Sequence, residues 1–521
     1  MTKSLLRLPR HTAYSTPLLQ AYFNGKLSLP IVTPDQAGAQ ESLQNAKINQ
    51  WNRKVLVEVL REQADQSQAG SEAKRAIEDL IHDNTFTVCT AHQSCLFFGP
   101  RYVYFKALSA VKAARMLSSK ENPVYPVFWM GSEDHDFEEI NHIHWGSRKV
   151  QWVQQQGNAV GRMSTRGIDH AINEVVSIAK ASLSSEALLK LQSQLDQWKT
   201  KENLTYATLW QRALYQLFQD DGLIVLNADD HRLKKLFAPI MLNELRTDSL
   251  QASVNTSDKE MFASFSMPIH MRDTNLFYIE NRVRQRVEVD KNNSSEVEFW
   301  CDKCKRHPEI FSPNVALRPI YQQSILPNVS FIGGPSEVAY WIQLAPAFSM
   351  LNVFYPQILL RDQCIVVDRE ILTLQEQHEA SWESLVLGDS NWQDVYLEKV
   401  FEDKLKRIKE AQTSWAVKGE ELADDARAME DGLGKAYEGA WSKMNKLTIS
   451  LLQKTKRHLK QSHPEMISDW TRLTNAVRPE GVLQERQAST LSLIVKESHS
   501  KEALISSFNP FDQGIHIIFQ E

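Results

Sequence analysis

The fold is decided around one short stretch in the first fifth of the chain, Thr85-Phe86-Thr87-Val88-Cys89-Thr90. The stretch is β-branched and aromatic, which is typical of a buried strand. A loop ending at Gly99 and Pro100 follows, and apolar residues then recur at helical spacing from Tyr104 to Ala114. A second apolar run occupies residues 124–130. This β-loop-α-β order is the unit from which parallel sheets are built, so the sequence predicts an α/β protein.

Apolar runs of the same kind recur along the chain, at residues 222–226, 329–332, 358–360 and 364–367. They predict a sheet of several strands. The sequence between them indicates two insertions, at about 145–215 and 255–315, and the second holds a charged, hairpin-like run at 277–289. With 521 residues, at about 100–200 residues per domain, several domains are expected. We assign residues 1–370 to the core, 371–470 to a helical domain, and 471–521 to a C-terminal helical segment packing back on the core.

The predicted helical domain contains two series of apolar residues spaced by three and four. They are Leu397, Phe401, Leu405 and Ile408, and then Ala440, Met444, Leu447 and Leu451. Gly432 and Gly434 lie between the two series and are suited to turn the chain. We predict an antiparallel coiled-coil hairpin that joins two copies of the chain as a homodimer. A plain surface helix pair with no role in assembly is the alternative.

Composition and charge exclude several classes of protein. Lys and Arg total 59, Asp and Glu total 64, and no half of the chain is strongly basic, so a nucleic-acid partner is not expected. Five cysteines, an odd number, argue against a secreted disulfide framework. No signal peptide and no run of about 18 apolar residues is visible, so we predict a cytoplasmic protein with no membrane partner.

Cys301 and Cys304 form an isolated C-x-x-C pair. A structural zinc needs four ligands, and His307 is the one further candidate close in sequence. A charged surface loop is therefore the favoured interpretation, with a metal knuckle as the alternative.

Ligands of open α/β sheets bind beyond the carboxyl ends of the strands, where three loops of this chain are unusually polar. The first, residues 132–142, holds five carboxylates and two histidines. If it begins a helix, four of its side chains share one face, His135, Glu138, Glu139 and His142. Such a cluster needs a cation, which a metal, a substrate amine or other side chains would supply. For Glu138 alone, a solvated helix start is the simpler interpretation.

The other two polar loops resemble anion sites. Residues 92–102 precede a predicted helix whose free N–H groups suit a phosphate, and Lys106 is either directed at that phosphate or exposed. In the third loop, Gly333 and Gly334 allow a ligand to approach the backbone closely. Glu337 and Tyr340 follow at helical spacing, next to Trp341, for which a core position is favoured.

Two arginines lie in apolar surroundings, Arg318 before Pro319 and Arg361 between two predicted strands. A guanidinium in such a setting needs a carboxylate or phosphate partner. That partner is either a substrate or an internal acid such as Asp362, and the sequence does not choose between them.

Residues 128–142, FWMGSEDHDFEEINH, closely resemble the signature of the BshC family of bacillithiol biosynthesis. Further stretches agree in order, at residues 96–106, 275–278, 311–315, 317–319, 332–341 and 509–512. The resemblance covers nearly the whole chain. It implies a Rossmann-like parallel-sheet core with inserted connective segments and a C-terminal α-helical coiled coil. It also implies a ligase that joins cysteine, through an amide bond, to the amine of glucosaminyl malate.

The chain also departs from the family pattern. The first loop of the family often reads Gly-Gln-Gln-Pro-Gly, whereas residues 91–95 read AHQSC, so Gln93 alone carries over. The family core is likened to synthetases that form aminoacyl adenylates, but their H-I-G-H and K-M-S-K-S motifs are absent. Residues 162–166 only superficially resemble the second motif.

These features give a set of predicted site residues. Catalytic roles fall to His135, Asp134, Asp136 and Glu133. His135 takes the proton from the attacking amine because imidazole titrates near cytoplasmic pH. Substrate binding falls to Gln93, Ser132, Asn141, His142, Arg318, Glu337, Tyr340 and Arg361. Nucleotide binding falls to Gly99, Lys106, Gly333 and Gly334. No metal ligand is assigned.

The leading hypothesis is an amide-forming ligase that uses ATP, with ADP as its spent form and Mg²⁺ as companion ion, to activate the cysteine carboxylate. One alternative is a metal-dependent hydrolase that holds a divalent ion on Asp134, His135 and His142. The other is a non-catalytic scaffold that acts through its coiled coil.

Overall fold

The computed structural model describes residues 2–9, 16–27, 29, 31–154, 159–199, 204–280, 283–496, 501–512 and 514–520. The chain divides into two compact units. The first, called the core unit below, combines Met1–Val366 with Glu485–Glu521, and the second, the helical unit, is Val367–Gln484. The helical unit therefore ends later than the predicted position 470, because the helix Pro464–Val477 continues through that position.

The described strands are β1 (Thr2–Pro9), β2 (Phe86–His92), β3 (Val124–Met130), β4 (His142–Trp145), β5 (Arg148–Gln151), β6 (Ile224–Asn227), β7 (Leu276–Glu280), β8 (Val283–Arg286), β9 (Phe311–Pro313), β10 (Asn328–Gly333), β11 (Gln357–Leu360), β12 (Gln363–Asp368) and β13 (Gly514–Gln520). The helices of the core unit are Pro17–Phe23, Gln36–Ala46, Arg53–Gln66, Ser71–Asp79, Arg101–Leu117, Phe137–Ile140, Ile168–Ala179, Ser185–Asp196, Tyr206–Leu217, His231–Arg246, Ser249–Glu260, Ser294–Arg306, Leu317–Ile325, Pro335–Met350, Thr490–Ile494 and Lys501–Ser507. Those of the helical unit are Arg369–Gln377, Trp382–Leu387, Asn391–Val400, Glu402–Met429, Asp431–Ser462 and Pro464–Val477, and Gln484–Gln487 spans the boundary.

The predicted Rossmann-like core is confirmed. Its sheet has five strands in the order β11-β10-β2-β3-β6, and each neighbouring pair is parallel. The strands are buried along their length because helices cover both faces, which explains why they read as continuous apolar runs. At the carboxyl edge Met130 pairs with His92 on one side and Asn227 on the other. The loops that follow these strands therefore start side by side.

One predicted strand lies in a different sheet. Residues 363–368 form β12, which belongs to a three-stranded sheet of order β1-β13-β12 rather than to the parallel sheet. The chain changes direction at Asp362, which is buried and accepts hydrogen bonds from Ser109 Oγ at 2.9 Å and the backbone N of Asn509 at 2.8 Å. The C-terminal segment, predicted to be helical, therefore also supplies a strand, β13, which pairs antiparallel with β1.

The two insertions hold small sheets and helices, as predicted. The first contains the β4–β5 hairpin and several helices, including Ile168–Ala179. In the second, the charged run forms the antiparallel pair β7–β8, and β9 adds to β7 on its other side. This small sheet brings residues from distant positions to the edge of the parallel sheet.

The helical unit contains the predicted coiled-coil hairpin, made of Glu402–Met429 and Asp431–Ser462. The turn differs from the prediction because the chain reverses at Glu430, whereas Gly432 and Gly434 lie inside the second helix. A Cβ on Gly434 would lie 2.6 Å from Cβ of Arg427, so this glycine lets the two helices approach closely. No described helix is long and apolar enough to cross a membrane.

The two predicted apolar series of the hairpin differ in burial. Leu397 and Leu405 of the first series are buried, whereas Met444, Leu447 and Leu451 of the second are exposed within one chain. The second helix therefore presents an apolar stripe that is exposed among the described residues.

Candidate functional site

A cavity of about 950 Å³ opens at the carboxyl edge of the parallel sheet, within the core unit. Its lining comes from the loops that follow β2, β3 and β10, from the β7–β8 hairpin and from the segment around Arg486. The volume suits a small-molecule substrate of cofactor size. The first and third polar loops predicted from the sequence thus meet at one site, together with the start of the second.

The signature segment does not form the predicted helical face. Its helix is a single turn, Phe137–Ile140, and His142 already begins β4, where it pairs with Gln151. Strand pairing overrides the helical pattern, so His135, Glu138, Glu139 and His142 do not lie together on one helix. Glu133, Asp134 and Glu139 are the carboxylates of the segment that line the cavity.

Asp134 ties the signature segment to the first loop and to the hairpin. Its Oδ2 accepts a hydrogen bond from Nε2 of Gln93 at 2.7 Å, and its Oδ1 accepts one from the backbone N of His135 at 2.8 Å. Nη1 of Arg284 lies 3.8 Å from Oδ1. Gln93, the residue of the first loop that matches the family pattern, is thus a direct partner of the predicted catalytic aspartate.

Glu133 is the most enclosed carboxylate of the segment. Its Oε1 lies 2.5 Å from Nζ of Lys234, which is itself buried. Burial raises the pKa of Glu133, and the Lys234 ammonium opposes that rise. The neighbouring Ser132 is buried and donates a hydrogen bond to Oδ1 of Asn227 at 2.5 Å, which fixes the chain as it leaves β3.

The other predicted residues of the segment lie outside the cavity lining. The His135 side chain is 59 % exposed, and its Nδ1 lies 3.4 Å from Nη1 of Arg284, which places it at the rim. Asp136 is exposed, and Asn141 is buried beneath the segment. Nδ1 of His142 lies 3.2 Å from the carbonyl oxygen of Glu138.

Lys106 is not exposed, which was one of the two outcomes considered from the sequence, but it is among the residues that line the cavity. It is buried, donates to the carbonyl oxygen of Ala91 at 2.8 Å and forms an ion pair with Glu337. Glu337 also accepts a hydrogen bond from the backbone N of Gly334 at 2.8 Å. Burial alone would raise the pKa of Glu337, but Lys106 and the Gly334 amide together lower it. In this arrangement Lys106 and Glu337 neutralise each other and shape the third loop.

The start of the helix Arg101–Leu117, predicted as an anion site, is closed by the chain itself. The backbone N of Arg101 donates to the carbonyl oxygen of Ala488 at 3.0 Å. Gly99 lies outside the cavity lining, and its φ of 57° together with the nearby Cys95 side chain accounts for a glycine there. By contrast Gly334 lines the cavity, at the start of the helix Pro335–Met350, and the carbonyl of Gly333 accepts from the backbone N of Arg361.

The two arginines singled out from the sequence have different environments. Arg361 is buried and its guanidinium donates to both carboxylate oxygens of Glu485, at 2.9 and 2.6 Å, so its partner is an internal acid. Arg318 donates to the Tyr340 hydroxyl at 2.9 Å and to Gln322 at 3.1 Å. Within the described ranges, no carboxylate forms an ion pair with Arg318. Both arginines line the cavity, but Arg318 alone retains the charge for a ligand.

The cavity also has a group of arginines that the sequence did not predict. The β7–β8 hairpin contributes Arg284 and Arg286, whose guanidinium carbons lie 4.0 and 5.6 Å from the ring centre of Phe277. Arg272 precedes the same hairpin and also lines the cavity. A signal for Arg284 and Arg286 was present in the charged, hairpin-like run at 277–289. Alternate residues of a strand share one face, so these two arginines lie on the same side of β8.

His92 was also missed. It lines the cavity, and burial together with Lys106 lowers its pKa to about 3. The ring is therefore neutral at physiological pH and acts in hydrogen bonding rather than as a cation.

Asp229 lies just before the helix His231–Arg246 but does not cap it. The cap of the helix His231–Arg246 is Asp230, whereas Asp229 accepts from Lys234 at 2.9 Å and from Arg162 at 2.6 Å. Trp341 is a core residue, as predicted, and stacks on Phe331.

The C-x-x-C pair lies on a helix and not on the favoured surface loop. Cys301 and Cys304 belong to the helix Ser294–Arg306 and both are buried, whereas the His307 side chain is exposed. Across the part of the chain that the structure describes, no three His, Cys, Asp or Glu residues are grouped closely enough to hold a metal ion.

Comparison with known proteins agrees with the resemblance seen in the sequence. Residues 8–362 match the N-terminal Rossmann-like domain, and residues 364–520 the C-terminal coiled-coil domain, of "Bacillithiol biosynthesis BshC". Relatives from Cytophaga hutchinsonii and Flavobacterium johnsoniae are each 31 % identical, covering 94 % and 97 % of this chain and 93 % and 98 % of their own. A relative from Bacillus cytotoxicus is 27 % identical, covering 87 % of each chain. All three are named, provisionally, as the cysteine ligase BshC. This chain belongs to the BshC family of bacillithiol biosynthesis.

Proposed function

We propose that the protein is a ligase that joins the carboxyl group of cysteine to the amine of glucosaminyl malate. The observation that carries this proposal is the division of the cavity into two walls. Glu133 and Asp134 form the carboxylate wall, and Arg272, Arg284, Arg286 and Arg318 form the arginine wall. A substrate with an amine at one end and a dicarboxylate at the other matches that division of charge.

The arginine wall holds the carboxylates of the acceptor. Guanidinium groups bind carboxylates through paired N–H donors. Among the residues that the structure describes, no internal acid pairs with Arg318 and competes with a substrate carboxylate. The Tyr340 hydroxyl accepts from Arg318 and fixes its orientation. Arg361 supports the wall from behind through its pair with Glu485.

The carboxylate wall receives the amine. Asp134 is held by Gln93 and faces Arg284, so its charge is already partly satisfied. Glu133, which lines the same cavity, is paired with Lys234 on its buried side. His135, at the rim, is the second candidate for the proton acceptor, and variants of Glu133 and His135 separate the two possibilities.

The residues present also fit a phosphate group. The start of the helix Pro335–Met350 reaches the cavity at Ser336, where the first-turn amide and the helix dipole favour an anion, while the Gly334 amide is bound to Glu337. Arg318 lies on the same side of the cavity, near Glu337 and Tyr340. We propose that ATP, with Mg²⁺, supplies the activation of the cysteine carboxylate when bound here, and that ADP or AMP is its spent form.

The reaction is tested by incubating the purified protein with cysteine, glucosaminyl malate and ATP, and analysing the products by mass spectrometry. We expect bacillithiol in the complete mixture and none when any one component is omitted. Formation of product without ATP would overturn the activation step. Consumption of ATP with no product from this acceptor, but with product from another amine, would overturn the acceptor.

The structure also favours the predicted homodimer through the hairpin. Met444, Leu447 and Leu451 leave an apolar stripe along the second long helix, and a second copy would cover it. Light scattering should give twice the chain mass for the native protein and the single-chain mass for Leu447→Glu. The matched control is Lys443→Glu, on the same helix.

A further inference from the structure

A row of four charged side chains begins in the carboxylate wall and continues behind it. The row, called here the ion-pair row, consists of Glu133, Lys234, Asp229 and Arg162. Nζ of Lys234 lies 2.5 Å from Oε1 of Glu133 and 2.9 Å from Oδ1 of Asp229. The Arg162 guanidinium donates to both oxygens of Asp229, at 2.6 and 2.7 Å. The four residues come from three separate segments of the core unit, so the row is a tertiary arrangement.

The row has one end in the cavity. The Glu133 side chain is 14 % exposed and lines the cavity, whereas Lys234 is 1 % exposed and is not a lining residue. Lys234 is also held by the carbonyl oxygen of Glu309 at 3.2 Å. A ligand in the cavity therefore meets the row through Glu133, with a fixed ammonium directly behind it.

The groups that face Glu133 oppose one another in their effect on its proton. Lys234 and Arg284 stabilise the carboxylate, whereas Asp229 destabilises it. The Tyr321 hydroxyl, beneath the same row, is fixed by its bond to the carbonyl oxygen of Ala228 at 2.8 Å. Because Lys234 contacts both acids, a change at either Lys234 or Asp229 alters the charge next to Glu133 without touching the cavity.

We propose that Glu133 accepts the proton of the attacking amine, and that Lys234 and Asp229 are positioning residues that set the pH range in which it does so. This inference rests on the proposed ligase function. In the step, the amine nitrogen forms a C–N bond to the activated cysteine carbonyl carbon. The C–O bond to the ATP-derived leaving group breaks with its electron pair, and the N–H proton passes to the Glu133 carboxylate.

The inference predicts shifts of opposite sign for two changes outside the cavity. Lys234→Met removes the cation between two carboxylates, which makes Glu133 harder to ionise. The acidic limb of the kcat/KM profile should then move to higher pH by about one unit or more. Asp229→Asn removes the repelling acid and should move the same limb to lower pH. Lys235→Met, an exposed lysine of the same helix, is the matched control and should leave the profile unchanged.

A loss of folding alone would not shift two variants in opposite directions, so the sign of each shift is the decisive readout. The same variants are titrated by infrared spectroscopy, with the carboxyl band of Glu133 identified as the one that Glu133→Gln removes. This measurement needs no catalysis. The inference is supported in full if Lys234→Met and Asp229→Asn shift the band in opposite directions and shift the pH profile in the same two directions.

The outcomes separate failure of this inference from failure of the proposed function. Product formation by the native protein with unshifted profiles in both variants would overturn the inference and leave the ligase function standing. Absence of product from the native protein would overturn the ligase function. In that case a Glu133 band that neither variant moves would also overturn the role of the ion-pair row. A band that Lys234→Met and Asp229→Asn move in opposite directions would uphold that role.

Discussion

The two walls of the cavity carry opposite charge and are built in different ways. The carboxylate wall comes from consecutive residues after β3, and its charges are balanced by Lys234 behind it and by Arg284 of the arginine wall. The arginine wall is gathered from a hairpin, a loop and a helix, and Arg318 has no acid partner within the described ranges. This difference supports the proposed division of roles, with proton transfer at one wall and anion binding at the other.

The walls also differ in what supports them. The carboxylate wall rests on the ion-pair row, so its charge state depends on neighbours outside the cavity. The arginine wall depends on fixed backbone positions, such as the turn before β7, where Asn275 is held by Glu244. Substitutions that weaken one support and spare the other can therefore break or sharpen the comparison.

The largest effect is expected at the buried ion pair of Arg361 and Glu485, which supports the arginine wall. Arg361 and Glu485 are 2 % and 1 % exposed, and Arg361→Met leaves the Glu485 carboxylate without its cation. We expect the free energy of unfolding to fall by about 3–5 kcal/mol, measured by urea denaturation. The double variant Arg361→Met with Glu485→Leu should recover most of the loss, because no isolated charge remains. If the single variant is as stable as the native protein, the pair does not support this wall.

A large effect on activity is expected at Arg318, which forms no ion pair with a carboxylate among the described residues. Arg318→Ala should lower kcat/KM by about 100-fold, because a charge-assisted contact to a substrate anion contributes about 1.5–3 kcal/mol. Tyr340→Phe keeps the guanidinium and removes only its orienting hydrogen bond, so a loss below about tenfold is expected. Equal losses in the two variants would show that Arg318 acts through structure and not through its charge.

The contrast between the walls also explains what the sequence could predict. Strands of the parallel sheet are buried on both faces, so their apolar runs are visible without any knowledge of partners. The carboxylate wall was found because its residues are adjacent in the chain. Arg284 and Arg272 were missed because their place in the cavity depends on how the inserted hairpin docks, which no local pattern records.

Other errors have the same origin. The predicted helix after β3 is cut short because His142 pairs with Gln151 in β5. A surface position for Lys106 was one of two alternatives, but Lys106 is buried because its partner Glu337 lies 231 residues away in sequence. Local patterns gave the elements and the position of the site, and contacts between distant segments determined which side chains are available in it.

A pH-dependent effect is expected at the support of the hairpin. Burial raises the pKa of Glu244 from its ordinary 4.5 to about 6, although hydrogen bonds from Asn275 oppose the rise. A raised carboxyl pKa contributes stability that is fully present below about pH 4.5 and is lost as pH rises through 6. We expect native protein to lose about 2 kcal/mol over this range relative to Glu244→Gln, measured by denaturation at several pH values. Glu288→Gln, at an exposed acid that follows β8, should behave like the native protein. Parallel curves for Glu244→Gln and the native protein would contradict the assignment.

The smallest effect is expected at His135, the histidine to which the sequence assigned proton transfer. A proton acceptor contributes about 100-fold or more when it contacts the reacting amine in a site closed to water. His135 is 59 % exposed, lies at the rim and contacts Arg284 rather than the cavity, so His135→Ala should lower kcat/KM by less than about tenfold. Glu133→Gln, which changes a residue that lines the cavity, should lower kcat/KM by more than 100-fold. If the two results are reversed, with the acidic limb of the profile lost in His135→Ala, the imidazole predicted from the sequence is the base. The carboxylate wall would then serve only to bind the ammonium group.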